Sequence, residues 1–293
     1  MATNRRDFIR TAGVGLMAAT LPGYMDLHAK TVQHQLSVQL YTIRDAINND
    51  FEGSLKQLAS IGFKNVETAF WPKEITDEHA AAVLKSLGLK ISSCHTDIPT
   101  KDNIAKLAAL ANGYNCKTII WHGWPEDKRH STLEGTRELI SIYNKANKLA
   151  KDNGLRFGLH NHWWEYRNHV GGKLVYEILH EELDADIFFE TDVYWVKVAG
   201  QNPATILQKL KNRIRFIHLK DGPAEFNDKL LSDSPDPMTP LGQGTQNIPA
   251  IINASSANVE YMVLELDKSI IDVFDALKQS YDYLAKFRSV NRG

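Results

Sequence analysis

The sequence has no surplus charge of either sign: 34 Lys and Arg face 35 Asp and Glu across 293 residues. It also lacks a basic run or a basic, aromatic-rich stripe, which argues against nucleic acid as the main partner. The apolar run nearest the N-terminus, Thr11 to Leu21, falls short of the roughly 20 residues a membrane-spanning helix needs, so no stable membrane anchor is expected. No glycine-rich phosphate loop follows the first strand-like segment, which disfavours an open, doubly wound nucleotide-binding sheet. Internal repeats, linkers and a second domain are likewise missing. What remains is 43% hydrophobic and 24% charged, the composition of a folded, core-forming chain. Its length is ordinary for a closed barrel of roughly 250 residues.

Strand-like and helix-like segments alternate from residue 36 onward. Strands are expected at Leu36–Tyr41, Phe63–Thr68, Lys90–His95, Thr118–His122, Arg156–His162, Ile187–Asp192, Ile214–Lys220 and Glu260–Leu266. Helices are expected between and after them: Phe51–Ile61, Thr76–Leu87, Asp102–Tyr114, Thr132–Asn153, Gly172–Glu182, Pro203–Asn212, Ile248–Ala254 and Ser269–Phe287. Gly62, Gly88 and Gly154 stop three of the helices, and Pro203 sits in the first turn of another. Strand–helix alternation implies parallel pairing with right-handed crossovers, and eight repeats imply a single-domain (β/α)8 barrel. The long segment from Asp221 to Gln246 reads as an active-site lid or a disordered excursion. Cys94, near the end of one strand, and Cys116, at the start of the next, should lie at opposite ends of the barrel. A bridge needs Cα atoms within about 7 Å, so two free, buried thiols are expected.

Barrel enzymes carry their reactive groups at the C-terminal ends of the strands. His95, His122, His160, His162 and His218 fall there, with Glu67, Asp192, Lys220, Glu265 and Asp267. So many ionisable groups are costly in a merely structural barrel mouth. His160, Asp192, His218 and Glu265 end four consecutive strands, which would aim four ligands at one point. Mixed imidazole and carboxylate donors suit Mn²⁺ first, with Zn²⁺, Co²⁺ or Mg²⁺ as alternatives. Strand alternation would put His160 and His162 on one face, and Glu165 is either a fourth ligand in place of His160 or a group that orients His162. Lys220 could hold a substrate oxygen or merely pair with Asp221 or Asp192. Arg44, Glu67, His95, His122, Glu165 and Trp195 are candidates for the substrate pocket. Trp121, Trp124, Trp163 and Trp164 lie near strand ends too, and could stack on a sugar or pack as core.

The motifs His160-Asn161-His162-Trp163-Trp164-Glu165, Glu190-Thr191-Asp192, His218-Leu219-Lys220-Asp221, Leu241-Gly242-Gln243-Gly244 and Glu265 follow one another in an order that resembles the sugar (phosphate) isomerase/epimerase branch of the xylose-isomerase-like TIM barrels. The likeness covers about residues 36–289. It implies a divalent metal held by Asp192, His218, Glu265 and a strand-five group, which here is His160 where the epimerases have Glu. It implies an isomerase or epimerase that abstracts a proton beside the carbonyl of a keto sugar, through an enediolate, with His162 or Glu265 as base and Lys220 assisting. The His-x-His pattern is closer to the dehydratases of the superfamily, so a keto-sugar dehydratase or a lyase acting on a 3-keto-glycoside is the alternative. An exported sugar-binding protein is the non-enzymatic reading. A homodimer is the default expectation.

At the N-terminus, Asn4-Arg5-Arg6-Asp7-Phe8-Ile9-Arg10 ahead of the short apolar run resembles a twin-arginine (Tat) export signal. The expected division is therefore a signal segment over residues 1–29 and a barrel over 30–293, with cleavage after Ala29 and a periplasmic destination.

Overall fold

The computed structural model describes residues 33–226, 235–287 and 289–292. The export segment and its cleavage point lie outside the described residues. Eight parallel strands form a closed barrel: β1 (His34–Gln39), β2 (Asn65–Thr68), β3 (Lys90–Thr96), β4 (Thr118–Trp121), β5 (Arg156–His160), β6 (Phe188–Asp192), β7 (Ile214–Leu219) and β8 (Tyr261–Leu264). Closure comes from β1 pairing with β8, Gln35 opposite Tyr261 through Val38 opposite Leu264. A short strand, Val290–Asn291, adds to β1 outside the ring. Among the described residues no helix is long and apolar enough to cross a membrane.

The outer helices form where capping and amphipathic spacing agree. Asp50, Thr76, Thr132, Asn202 and Asp272 each accept a backbone N–H at the start of a helix, which relieves one of the unpaired donors there. The helices Phe51–Ile61 and Ile248–Ala254 have the bounds the sequence suggests. The closing helix is shorter, Val273–Leu284, because Asp272 caps it three residues beyond Ser269. Residues without a helical signal add a turn after β5 (Trp164–Arg167) and a helix directly on β6 (Val193–Val198).

Inside the barrel the two-residue period of the strands sorts side chains into layers. Ile120, Phe188, Phe216 and Val263 form a buried apolar plug separate from the core between strands and helices. Truncating one of these rings to Ala would cost about 3–5 kcal/mol. Two residues further along, Phe188 gives way to Glu190, Phe216 to His218 and Val263 to Glu265. One more step gives Asp192, Lys220 and Asp267. The same alternation that builds the plug therefore stacks an ionisable layer directly on top of it.

The two cysteines are free and buried, as expected. The Cys116 thiol donates to the Thr118 carbonyl oxygen at 3.7 Å.

Candidate active site

The ionisable layer is a continuous network. His218 sits at its centre, with Nδ1 2.7 Å from Glu265 Oε2 and Nε2 2.7 Å from Glu67 Oε1. Glu190 Oε2 lies 3.2 Å from His218 Nε2, 2.6 Å from His95 Nε2 and 3.0 Å from His160 Nδ1. Glu67 is held in place by Gln39, which donates to Oε1 at 2.8 Å, and by the Ser93 hydroxyl, which donates to Oε2. Lys220 Nζ is 2.8 Å from Asp192 Oδ2, 2.7 Å from Glu265 Oε2 and 2.8 Å from Asp267 Oδ2.

Asp192 is aimed by its surroundings. Its Oδ1 caps the helix that starts on β6, accepting from Tyr194 and Trp195 N–H at 2.9 and 3.1 Å. Its own N–H donates to Asn161 Oδ1 at 2.9 Å, which ties the end of β6 to the loop after β5. Oδ2 is left pointing into the site, with no directed hydrogen bond apart from the ammonium beside it.

Burial and charge together set the protonation states. Burial would lower His218, but Glu190, Glu265 and Glu67 outweigh it and hold the imidazole well above its ordinary value. Burial likewise works against Lys220, and Asp192, Asp267 and Glu265 keep it firmly charged. Glu265 is held well below the usual carboxylate range, because Lys220 and His218 overcome the cost of its burial. Burial raises Asp267 to about 6. His162 is pushed well below its ordinary value by burial and then by Lys220, so it is a neutral base at physiological pH.

A cavity of about 330 Å³ opens over this layer, lined by His95, His122, His160, His162, Lys220, Glu265 and Asp267, with Tyr41, Phe70 and Trp124 at its rim. β5 ends at His160, not at His162 as the sequence suggests. Strand alternation therefore does not place His162. It stacks instead on Trp164, ring centroids 4.5 Å apart and planes 10° apart, and still faces the cavity beside His160. Trp195 is fully buried behind it, and Glu67 is fully buried beneath the cavity floor. Arg44 braces loops: it donates to the carbonyls of Tyr41 and Asp267 at 2.9 Å each and lies over the Tyr41 ring. Glu165 accepts from His162 N–H at 3.0 Å and faces a second cavity.

The four expected metal ligands are not brought to one point. Asp192, His218 and Glu265 bring ligand atoms within 4.8 Å of one another, whereas His160 groups with His95, Glu190 and His218. His160 Nε2 is 3.8 Å from Asp192 Oδ2, so it stands at the edge of the first group. The first group fits a divalent cation. Glu67, Glu190, Asp192, Glu265 and Asp267 crowd round one ammonium and one imidazole, and Asp192 Oδ2 and Glu190 Oε1 lack directed partners. Glu190 was not read from the sequence as a site residue, although it joins three of the histidines.

Asp221 does not pair with Lys220. Its carboxylate accepts from the N–H groups of Gly222, Gly242, Gly244 and Gln246 at 2.8–3.1 Å. A Cβ on Gly244 would lie 2.1 Å from Asp221 Oδ1, so the Gly-Gln-Gly turn is what lets the loop close on this carboxylate. The segments 221–226 and 235–246 are thereby folded against the barrel; residues 227–234 lie outside the described residues.

A family model described as xylose isomerase-like TIM barrel matches residues 55–286. The chain belongs to this family. An inosose dehydratase of Clostridium beijerinckii is 24% identical over 227 residues, 69% of this chain and 73% of the relative. A solved structure of a sugar phosphate isomerase/epimerase from Parabacteroides distasonis superposes with a TM-score of 0.72 at 23% identity, covering 88% of this chain and all of that one. The IolI protein, solved with a bound zinc atom, superposes with a TM-score of 0.64 at 13% identity, over 86% of this chain and 96% of its own. The proteins it resembles thus include one named as an isomerase/epimerase and one named as a dehydratase.

Proposed function

We propose that the chain is a metal-dependent lyase: it removes the proton next to the carbonyl of a keto sugar or keto cyclitol and expels water or an alcohol from the neighbouring carbon. The observation that carries this reading is the asymmetry of the mouth. His162 is a neutral base facing the cavity, whereas the carboxylate on the strand-eight side, Glu265, is bound to His218 and Lys220. Strand five ends in His160 instead of a second carboxylate. Shuttling a proton between two opposed carboxylates has no counterpart here, whereas one base that takes and returns a proton suits elimination.

A divalent ion held by Asp192, His218 and Glu265 would supply a Lewis acid for the carbonyl oxygen and steady the enediolate charge. Mn²⁺ and Zn²⁺ suit that donor set. The chain's own groups do the rest. Nδ1 of His162 is turned towards Gly123, so Nε2 takes the proton from carbon. Lys220, at the cavity wall, holds the substrate oxygen that gains negative charge. The electron pair of the broken C–H bond forms the new double bond and breaks the bond to the β-oxygen. The imidazolium then returns its proton to that oxygen, and water or alcohol leaves. The inosose dehydratase relative is consistent with this course. The isomerase/epimerase neighbour supports a second reading, in which the same abstracted proton returns to carbon and nothing is expelled.

The test is product analysis by NMR in deuterated water, with metal-stripped protein reloaded with Mn²⁺ and given a 3-keto-glucoside. Release of the aglycone with an unsaturated keto sugar is expected, falling roughly 10²–10⁴-fold in His162→Ala. Deuterium in an otherwise intact or isomerised sugar would move the assignment to isomerase. No reaction by either protein with any keto sugar would sink both.

A further inference from the structure

A second and larger cavity, about 560 Å³, lies beside the mouth, between the barrel wall and the outer helices. Leu159 and Phe189 form its inner wall, and Leu139, Tyr143 and Tyr176 its outer wall. Trp121 and His130 close one end, and exposed Pro125, Glu126 and Lys128 stand at the rim, where it meets solvent. His160 borders both this cavity and the mouth. A volume of this size is within the roughly 300–1,000 Å³ of small-molecule sites.

Its polar fittings are unexpected for packing space. His130 is 4% exposed, and neither Nδ1 nor Nε2 has a partner among the described residues. Leaving such a ring buried and unpaired is costly, so the position is poor as structure and useful as a binding group. Glu165 presents a second buried polar group: one oxygen accepts from His162 N–H, and the carboxyl also lines the cavity.

We propose that this cavity is a second binding site, which takes a neutral, hydroxylated aromatic ring. The walls fix the aromatic part: apart from Glu165, Asn161 and the loop residues Glu126, Asp127 and Lys128, the lining is mostly aliphatic and aromatic, suited to a flat apolar body. The polar fittings fix the rest. Burial lowers His130 to about 4, so it is uncharged and offers one donor and one acceptor nitrogen. Burial raises Glu165 to about 8, so near neutral pH it is chiefly a donor. A hydroxyl, which donates and accepts, matches both; a carboxylate would find no cation inside. His160 borders both cavities, so an aromatic ring bound here stands one side chain away from the mouth. The binding claim itself does not depend on the reaction proposed above.

The probe is 2-naphthol, titrated at neutral pH into the full chain by calorimetry and by Trp fluorescence, with 2-naphthoate as the charged control. One saturable site per chain is expected, with 2-naphthoate at least tenfold weaker. Leu139→Trp, which fills the cavity, should weaken 2-naphthol at least tenfold, and His130→Phe, which keeps a ring but removes both nitrogens, about fivefold. Circular dichroism establishes that each variant is folded; if Leu139→Trp is not, His130→Phe carries the test alone. The absence of saturable binding, equal affinity for the anion, or binding that a folded variant leaves unchanged would each overturn the proposal. Turnover is not used, so a failed lyase assay leaves this result standing.

Discussion

Lys220 Nζ lies 2.8 Å from Asp192 Oδ2, and the same ammonium contacts Glu265 and Asp267. It is a cation in the middle of the oxygens that would hold a metal ion. Lys220→Met keeps an unbranched side chain one atom shorter and removes the charge. Two buried carboxylates, Asp192 and Glu265, and the partly buried Asp267 then lose their partner, which typically costs about 3–5 kcal/mol. The metal-free variant should melt well below the metal-free parent, and added Mn²⁺ should raise its melting temperature more than the parent's. Equal responses to Mn²⁺ would mean that the carboxylates do not share a cation site.

His218 is held protonated between Glu67 and Glu265, and a metal needs its lone pair. Binding must therefore release a proton, and affinity should tighten with rising pH, by up to about tenfold per unit, until the raised pKa is passed. Calorimetry in two buffers of different ionisation enthalpy measures the released proton directly. The same shift acts on the metal-free fold. A raised folded pKa stabilises fully below the unfolded value of about 6.5 and loses that stabilisation as pH climbs through the raised one. The metal-free protein should lose melting temperature on the alkaline side. Proton-neutral metal binding would show that His218 is not a ligand.

The barrel and most of the ionisable layer were legible because each strand signals its own end, and because period-two alternation converts Phe216-x-His218-x-Lys220 into a plug residue followed by two site residues. Glu190 was missed for the same reason that it matters. It sits mid-strand, one step below Asp192, and no single strand shows that three histidines from β3, β5 and β7 converge on it. The positions of His162 and Glu165 depend on where β5 stops and a turn begins, and tertiary packing on Trp164 decides that. His130 lies in a short 3-10 turn with no periodicity to show which way it faces.

Asp221 accepts four backbone N–H groups from the loop that follows β7. Asp221→Ala leaves these donors without their acceptor, a loss of about 1–3 kcal/mol for each that stays buried. The loop should loosen before the barrel does. Limited proteolysis should cut Asp221→Ala between residues 222 and 246 while the remainder stays resistant, with KM rising more than kcat falls. Proteolysis that matches the parent would mean that other contacts hold the loop.

Gly123 combines a positive φ of 75° with a tight fit: a Cβ there would stand 2.8 Å from the His160 carbonyl oxygen and 3.1 Å from His162 Nδ1. Gly123→Ala adds backbone strain of about 1–2 kcal/mol and pushes on the ring proposed as base. Gly123 lies outside the barrel ladder and the carboxylate cluster and meets the ladder at the His160 carbonyl, the end of β5, so the strain should appear chiefly in catalysis. A 1 Å displacement of a reacting group is worth about 10²-fold in rate, so kcat should fall by one to two orders of magnitude. Mn²⁺ affinity should stay within about twofold of the parent's, since Asp192, His218 and Glu265 are not displaced. If kcat is unchanged, the base is not His162, and Asp267, which lines the same cavity and is raised to about 6, becomes the group to replace next.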